Sequence, residues 1–159
     1  MHLSRRHALA LLTALAAPAA ARDALAGQHS LFLTSMRDAT GGFAAALIND
    51  RGDMLYRVPL KARAHDGAMS SDGRSAVLFA RRPGHFILVF DVRRRTVTHH
   101  IAARDDRLYY GHGFYSADGK LLFTAENDFD KARSVLGIYD ATPGYARVGE
   151  VEGGGVVCH

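Results

Sequence analysis

Apolar residues come along this chain in short bursts. "AVLFA" (76–80), "FILVF" (86–90) and "LLFTA" (121–125) are brief, rich in β-branched and aromatic residues, and bounded by Asp-Gly or Pro-Gly punctuation. Both pleat faces of these runs are apolar, which predicts strands in sheets covered on both sides. "TVTHHI" (96–101) alternates more and suits an outer strand with one solvated face. Helix signals are nearly absent after the N-terminal segment.

The bursts belong to a repeating unit. "SSDGRSAVLFARRPGHFILVFDVRRRTVTHHI" lies over "SADGKLLFTAENDFDKARSVLGIYDATPGYARVGEV" with the same order of parts. Each begins with a Ser-x-Asp-Gly turn (Asp72-Gly73 and Asp118-Gly119), then a basic residue and an apolar run. A polar loop follows, then a second apolar run ending in an aromatic residue and Asp (Phe90-Asp91, Tyr139-Asp140), and finally another extended stretch. A degraded first copy stands upstream as "SLFLTS", a Gly41-Gly42 loop, "FAAALIND" and "MLYRVPL". Four short strands per unit is the spacing of a β-propeller blade. The expected fold is therefore all-β, an incomplete β-propeller of about three blades of four-stranded antiparallel sheet. Blades are expected at residues 30–59, 64–101 and 112–151, with a tail at 152–159 leading into a missing blade. With strands labelled A to D outward from the axis, the first unit lacks its A strand. A β-sandwich is the alternative, since short strands with regular turns build that fold too.

The first residues stand apart from the repeat. A charged start, an apolar run from Ala8 to Ala20 too short for a bilayer, and small residues around Ala24-Leu25-Ala26 predict a signal peptide over residues 1–26. The stretch around Pro18 and Ala19 to Ala21 is a competing cleavage choice. Ser4-Arg5-Arg6 before the apolar run fits twin-arginine export, with a general secretory signal as the alternative. Either route predicts a periplasmic protein whose mature domain covers residues 27–159, with no further membrane span. Removing residues 1–26 takes away three arginines and one aspartate, lowering the formal net charge from +4 to +2. So small a charge does not point to nucleic acid. The single cysteine, Cys158, permits no internal disulfide.

"HDGAMSSDGRSAVLFARRPG", "YYGHGFYSADGKLLFTAENDFD" and the arginine-pair signal resemble the bacterial family called domain of unknown function 1513. The resemblance covers about residues 28–152. It implies a seven-bladed propeller exported by the twin-arginine route, and a setting beside imelysin-like and di-haem peroxidase-like proteins that suggests iron acquisition. It further implies a longer protein, of which this chain is about the N-terminal half. Family members continue with Gly-Pro-His-Glu where this chain reads "GGVVCH", a departure that a frameshift or early stop would explain.

Propeller topology collects the loops entering each A strand and the B-to-C loops on one rim. That rim is expected to hold His65, Asp66, Arg81, Arg82, Tyr110, His112, Glu126, Asn127 and Asp128 as ligand- or partner-binding candidates. His65 and His112 are candidate metal ligands, since neutral imidazole suits iron, copper or zinc. Simple alternation sends them to opposite faces, because His65 lies seven residues before its Asp-Gly turn and His112 six; a bulge restores the register. The alternative is a pair of histidines bonded to neighbouring backbone. "ENDFD" is expected as a solvated turn, and Arg81-Arg82 either as a clamp for a carboxylate or phosphate or as rim charge facing those acids. Arg93-Arg94-Arg95 and His99-His100 read as a solvated hairpin and an outer strand. No hydrolase triad, zinc-protease helix or phosphate loop is present. The leading expectation is a non-catalytic binding or scaffold protein with a periplasmic protein partner or a small ligand and no firmly implied cofactor. The alternative is a metal- or haem-dependent propeller enzyme or redox protein.

Overall fold

The computed structural model describes residues 30–142 and 144–155. The signal-peptide segment, Cys158 and His159 lie outside the described residues, and so do the expectations placed on them.

The described residues form eleven strands in three antiparallel sheets. The first holds β1 (Leu31–Arg37), β2 (Phe43–Asn49) and β3 (Met54–Leu60). The second holds β4 (Ala64–Met69), β5 (Ser75–Ala80), β6 (Phe86–Asp91) and β7 (Thr96–Ala102). The third holds β8 (Leu108–Tyr115), β9 (Leu121–Asp128), β10 (Arg133–Asp140) and β11 (Ala146–Glu152). Each strand pairs with its neighbour in sequence, so every sheet is a meander. This is the blade pattern of an incomplete propeller rather than the exchanged strands of a sandwich. The third blade begins at Leu108 rather than at His112, because the inner strand starts before the Gly-His-Gly stretch.

Turn chemistry explains why the repeat markers recur. In the second blade the Asp72 carboxylate accepts from Ser70 Oγ (2.7 Å) and the Arg74 N–H (3.0 Å). In the third, Asp118 accepts from Ser116 Oγ (2.6 Å) and the Lys120 N–H (3.1 Å). The outer hairpins are fastened alike. The side chains of Asn49, Asp91 and Asp140 accept backbone N–H bonds from Arg51, Arg94 and Thr142. The marker positions are thus turn caps, which supply acceptors to N–H groups that the strand ladder cannot pair.

Two of the three doubly apolar runs are buried on both faces; the third, residues 121–125 in β9, is buried on one face and half-exposed on the other, because only one side of its sheet is packed against a second sheet. Residues Ala76 to Ala80 of β5 and Phe86 to Phe90 of β6 are buried, while β7 alternates exposed and half-buried positions. Between the second and third sheets, Val77, Phe79, Ile87 and Val89 pack with Tyr109, Leu122, Tyr139 and Tyr145. The inner strands β4 and β8 lie against each other. Gly84, in the loop between β5 and β6, exchanges two backbone bonds with Tyr109 (3.0 and 2.8 Å), fastening the loop to the start of β8. These contacts fix the rim on which the site stands.

Candidate functional site

Two irregularities build the site. In β4, Ala64 pairs with Ala80 and Asp66 with Phe79, so His65 is the extra residue of a bulge. In β8, the register passes from Tyr109↔Glu126 to Gly113↔Thr124, leaving Tyr110, Gly111 and His112 as an outward excursion. Gly111 takes φ +91°, and a Cβ there would lie 3.0 Å from the His65 ring. Gly113 lies against the Phe79 ring and the Phe123 carbonyl, so it has no room for a side chain. The two excursions bring the imidazoles of His65 and His112 together, with ring centroids 4.8 Å apart and planes at 80°. Asp66 completes the group, its Oδ2 standing 3.1 Å from His112 Nδ1.

The charges around His65 are mostly positive. Desolvation first, then the charges of His112, Arg81 and Arg63, hold its pKa below the ordinary 6.5, against the opposing pull of Asp66. His65 is therefore held neutral at neutral pH. Beside the pair, the Arg82 guanidinium lies over the Tyr110 ring at 5.2 Å, within cation–π range. Tyr110 in turn leans on Phe129, with centroids 6.4 Å apart. His65, Asp66, Arg81, Arg82, Tyr110 and His112 thus share one rim. The sequence reading missed Arg63 and Phe129; Arg63 lies two residues before His65, but nothing in the local sequence singles out Phe129.

Glu126, Asn127 and Asp128 are placed differently from expectation. They belong to β9 rather than to a solvated turn, and each is at most 1% exposed. Glu126 accepts from Arg147 Nη1 (2.8 and 3.0 Å), Thr124 Oγ1 (2.7 Å) and the Tyr139 hydroxyl (3.1 Å). Asp128 receives Arg107 Nη1 (3.0 Å) and Arg133 Nε (3.1 Å). Burial raises the Asp128 pKa, but the bonds from Arg133 and the Lys131 N–H and the charges of Lys131 and Arg107 outweigh it, leaving the carboxyl below its usual range. Burial likewise pushes the Tyr109 hydroxyl up, with the neighbouring Tyr139 and Glu126 acting in the same sense. Glu126 and Asp128 hold the third blade together through Arg147, Arg107 and Arg133. These arginines come from three separate segments.

Among the described residues, no group of three or more His, Cys, Asp or Glu side chains is arranged to hold a metal ion. Also among them, no helix is long and apolar enough to cross a membrane.

Comparison with known proteins gives a family and a fold. Residues 58–159 match the model of a family described as protein of unknown function (DUF1513). No match to a curated protein reaches significance. Among solved structures, a protein of unknown function from Bacteroides caccae aligns with a TM-score of 0.56 at 13% identity, over 78% of this chain and 40% of that one. The β-propeller domain of the Trilobed protease from Pyrococcus furiosus aligns with a TM-score of 0.54 at 14% identity, over 80% and 40%. A putative 6-phosphogluconolactonase from Bacteroides uniformis aligns with a TM-score of 0.53 at 18% identity, over 86% and 44%. The chain spans less than half the length of each of these three structures. At such identities the likeness concerns the fold.

Proposed function

Since the chain belongs to the DUF1513 family, whose description assigns no activity, we propose that it is a periplasmic binding or scaffold protein that presents this propeller rim to a partner or small ligand. The observation that carries the reading is the exposed junction of His65, Asp66 and His112, built by two strand irregularities on an otherwise regular scaffold. Bulges that re-aim side chains recur next to functional sites. The iron-acquisition setting comes from the family resemblance and supplies the context in which a partner is sought. The test is capture from a periplasmic extract by the immobilised protein and by a His112→Ala, Arg81→Ala double variant. A protein retained by the first and lost by the second supports the reading; equal retention by both overturns it.

A metal- or haem-dependent redox protein is the second reading. One observation favours it: a carboxylate on Nδ1 is how ligating histidines are oriented, leaving Nε2 for the metal. Mass spectrometry of the purified protein decides this. A stoichiometric transition metal lost in His112→Ala establishes the second reading, and a metal-free protein removes it.

A further inference from the structure

We propose that the rim around His65 and His112 binds an oxyanion, a carboxylate or phosphate group of the ligand or partner. This deepens the binding reading above and rests on it.

The position of two arginines comes first. Arg63 precedes β4 and Arg81 follows β5, and the Arg81 N–H donates to the Arg63 carbonyl at 2.8 Å. The two residues therefore leave neighbouring strands at the same level, beside the bulged His65. Both are exposed, and neither side chain forms an ion pair with a described residue. The contrast with the third blade is direct. There Arg107, Arg133 and Arg147 each meet a carboxylate at 3.1 Å or less. On the rim, Asp66 stands on His112.

The uncompensated charge has a chemical preference. A guanidinium presents a planar fork of donors that suits carboxylate and phosphate oxygens in pairs. His112, with Asp66 on Nδ1, has a second ring nitrogen, Nε2, to offer an oxyanion. An anion placed beside Arg63 and Arg81 answers both charges. Arg82, over Tyr110, adds a cation at the margin.

The experiment is a nuclear magnetic resonance titration of the His65 and His112 ring protons in the full chain, with inorganic phosphate and citrate as probes. Glucose and Zn²⁺ are titrated in parallel. The expected result is a saturable shift of both rings with the oxyanions. Affinity falls about tenfold in Arg81→Ala, the loss of one charge-assisted hydrogen bond. Arg94→Ala, on the exposed hairpin after Asp91, leaves affinity unchanged. Shifts that do not saturate, or that persist equally in Arg81→Ala, are ionic screening and overturn the proposal. Rings that move with Zn²⁺ or glucose but not with the oxyanions also overturn it, while leaving the rim as a binding site. Rings that respond to no probe overturn it and take away support for a small ligand altogether.

Discussion

At Gly111 the backbone stands at φ +91° with the His65 ring against its α-carbon. Placing alanine there costs roughly 1–2 kcal/mol of left-handed strain and also pushes His65 away from His112. Gly111→Ala is therefore expected to lower stability by that amount in urea unfolding and to weaken the cross-peaks between the two imidazoles. An unchanged pair of rings would show that the excursion in β8 does not depend on this glycine. Arg81 offers a second test. Its charge is among the causes that hold His65 below 6.5, so Arg81→Ala should raise the His65 titration midpoint toward 6.5. The direction for folding follows from linkage. With the folded pKa below the unfolded one, the unfolded chain binds the proton first, so the His65 contribution is complete above 6.5 and declines as pH falls below it. The histidines were legible in the sequence as "AHDG" and "GHG", each entering an inner strand. Their meeting was legible only as an alternative, because a bulge is fixed by pairing with β5 and β9 and not by the bulged residue's own type.

β9 carries its acids into the interior because three other segments answer them. Glu126 and Asp128 reach Arg147 on β11, Arg133 on β10 and Arg107 just before β8. Gly137 on β10 leaves the space that the Glu126 carboxylate fills. Removing Glu126 leaves Arg147 with Glu150 alone, at 2.9 Å, and takes the acceptor from Thr124 and Tyr139, which costs about 3 kcal/mol. Glu126→Leu is expected to destabilise the chain on that scale in chemical denaturation. Adding Arg147→Met should recover part of the loss, because the under-compensated charge is then gone. Failure of the second change to recover anything would mean that packing around Tyr139, not charge, dominates there. Acid should act on the same sheet, through β9 and β11. Asp128 and Glu150 have folded pKa values below their ordinary 3.8 and 4.5. Their contribution is therefore present above those values and lost as pH falls through the lower, folded ones. "ENDFD" reads as a turn because Asn and Asp favour turns and charges favour water. What overrides both tendencies is compensation from Arg107 and Arg147, about 20 positions away on either side, beside the nearer Arg133; no local pattern contains the two distant ones.

Across the whole molecule the repeat was legible because each blade reuses the same turn caps, and those caps are fixed residue types at fixed places. The two faces of the third sheet were not, since its apolar runs look alike on both. The register separates them. Leu122, Val135 and Tyr139 face the second sheet and are at most 4% exposed. Phe114 stands opposite Phe123, Phe123 opposite Ile138, Ala125 opposite Leu136 and Leu136 opposite Val151, so these six share the far face. Phe114 and Val151 are each 55% exposed there, and the Phe114 and Phe123 rings stack at 5.1 Å. Gly113 explains why the aromatic lies on that side. It is the neighbour that meets Phe79, and strand alternation sends Phe114 the other way. A sheet that buries one apolar face against a second sheet and leaves the other open has a surface suited to the same kind of packing again. The purified chain is therefore expected to self-associate through this face, with a sedimentation coefficient that rises with concentration. Phe114→Ser should reduce that rise and, at an exposed position, change stability by no more than about 0.5 kcal/mol. A wild-type chain that sediments as a monomer across the same concentrations would show that the far face does not drive association.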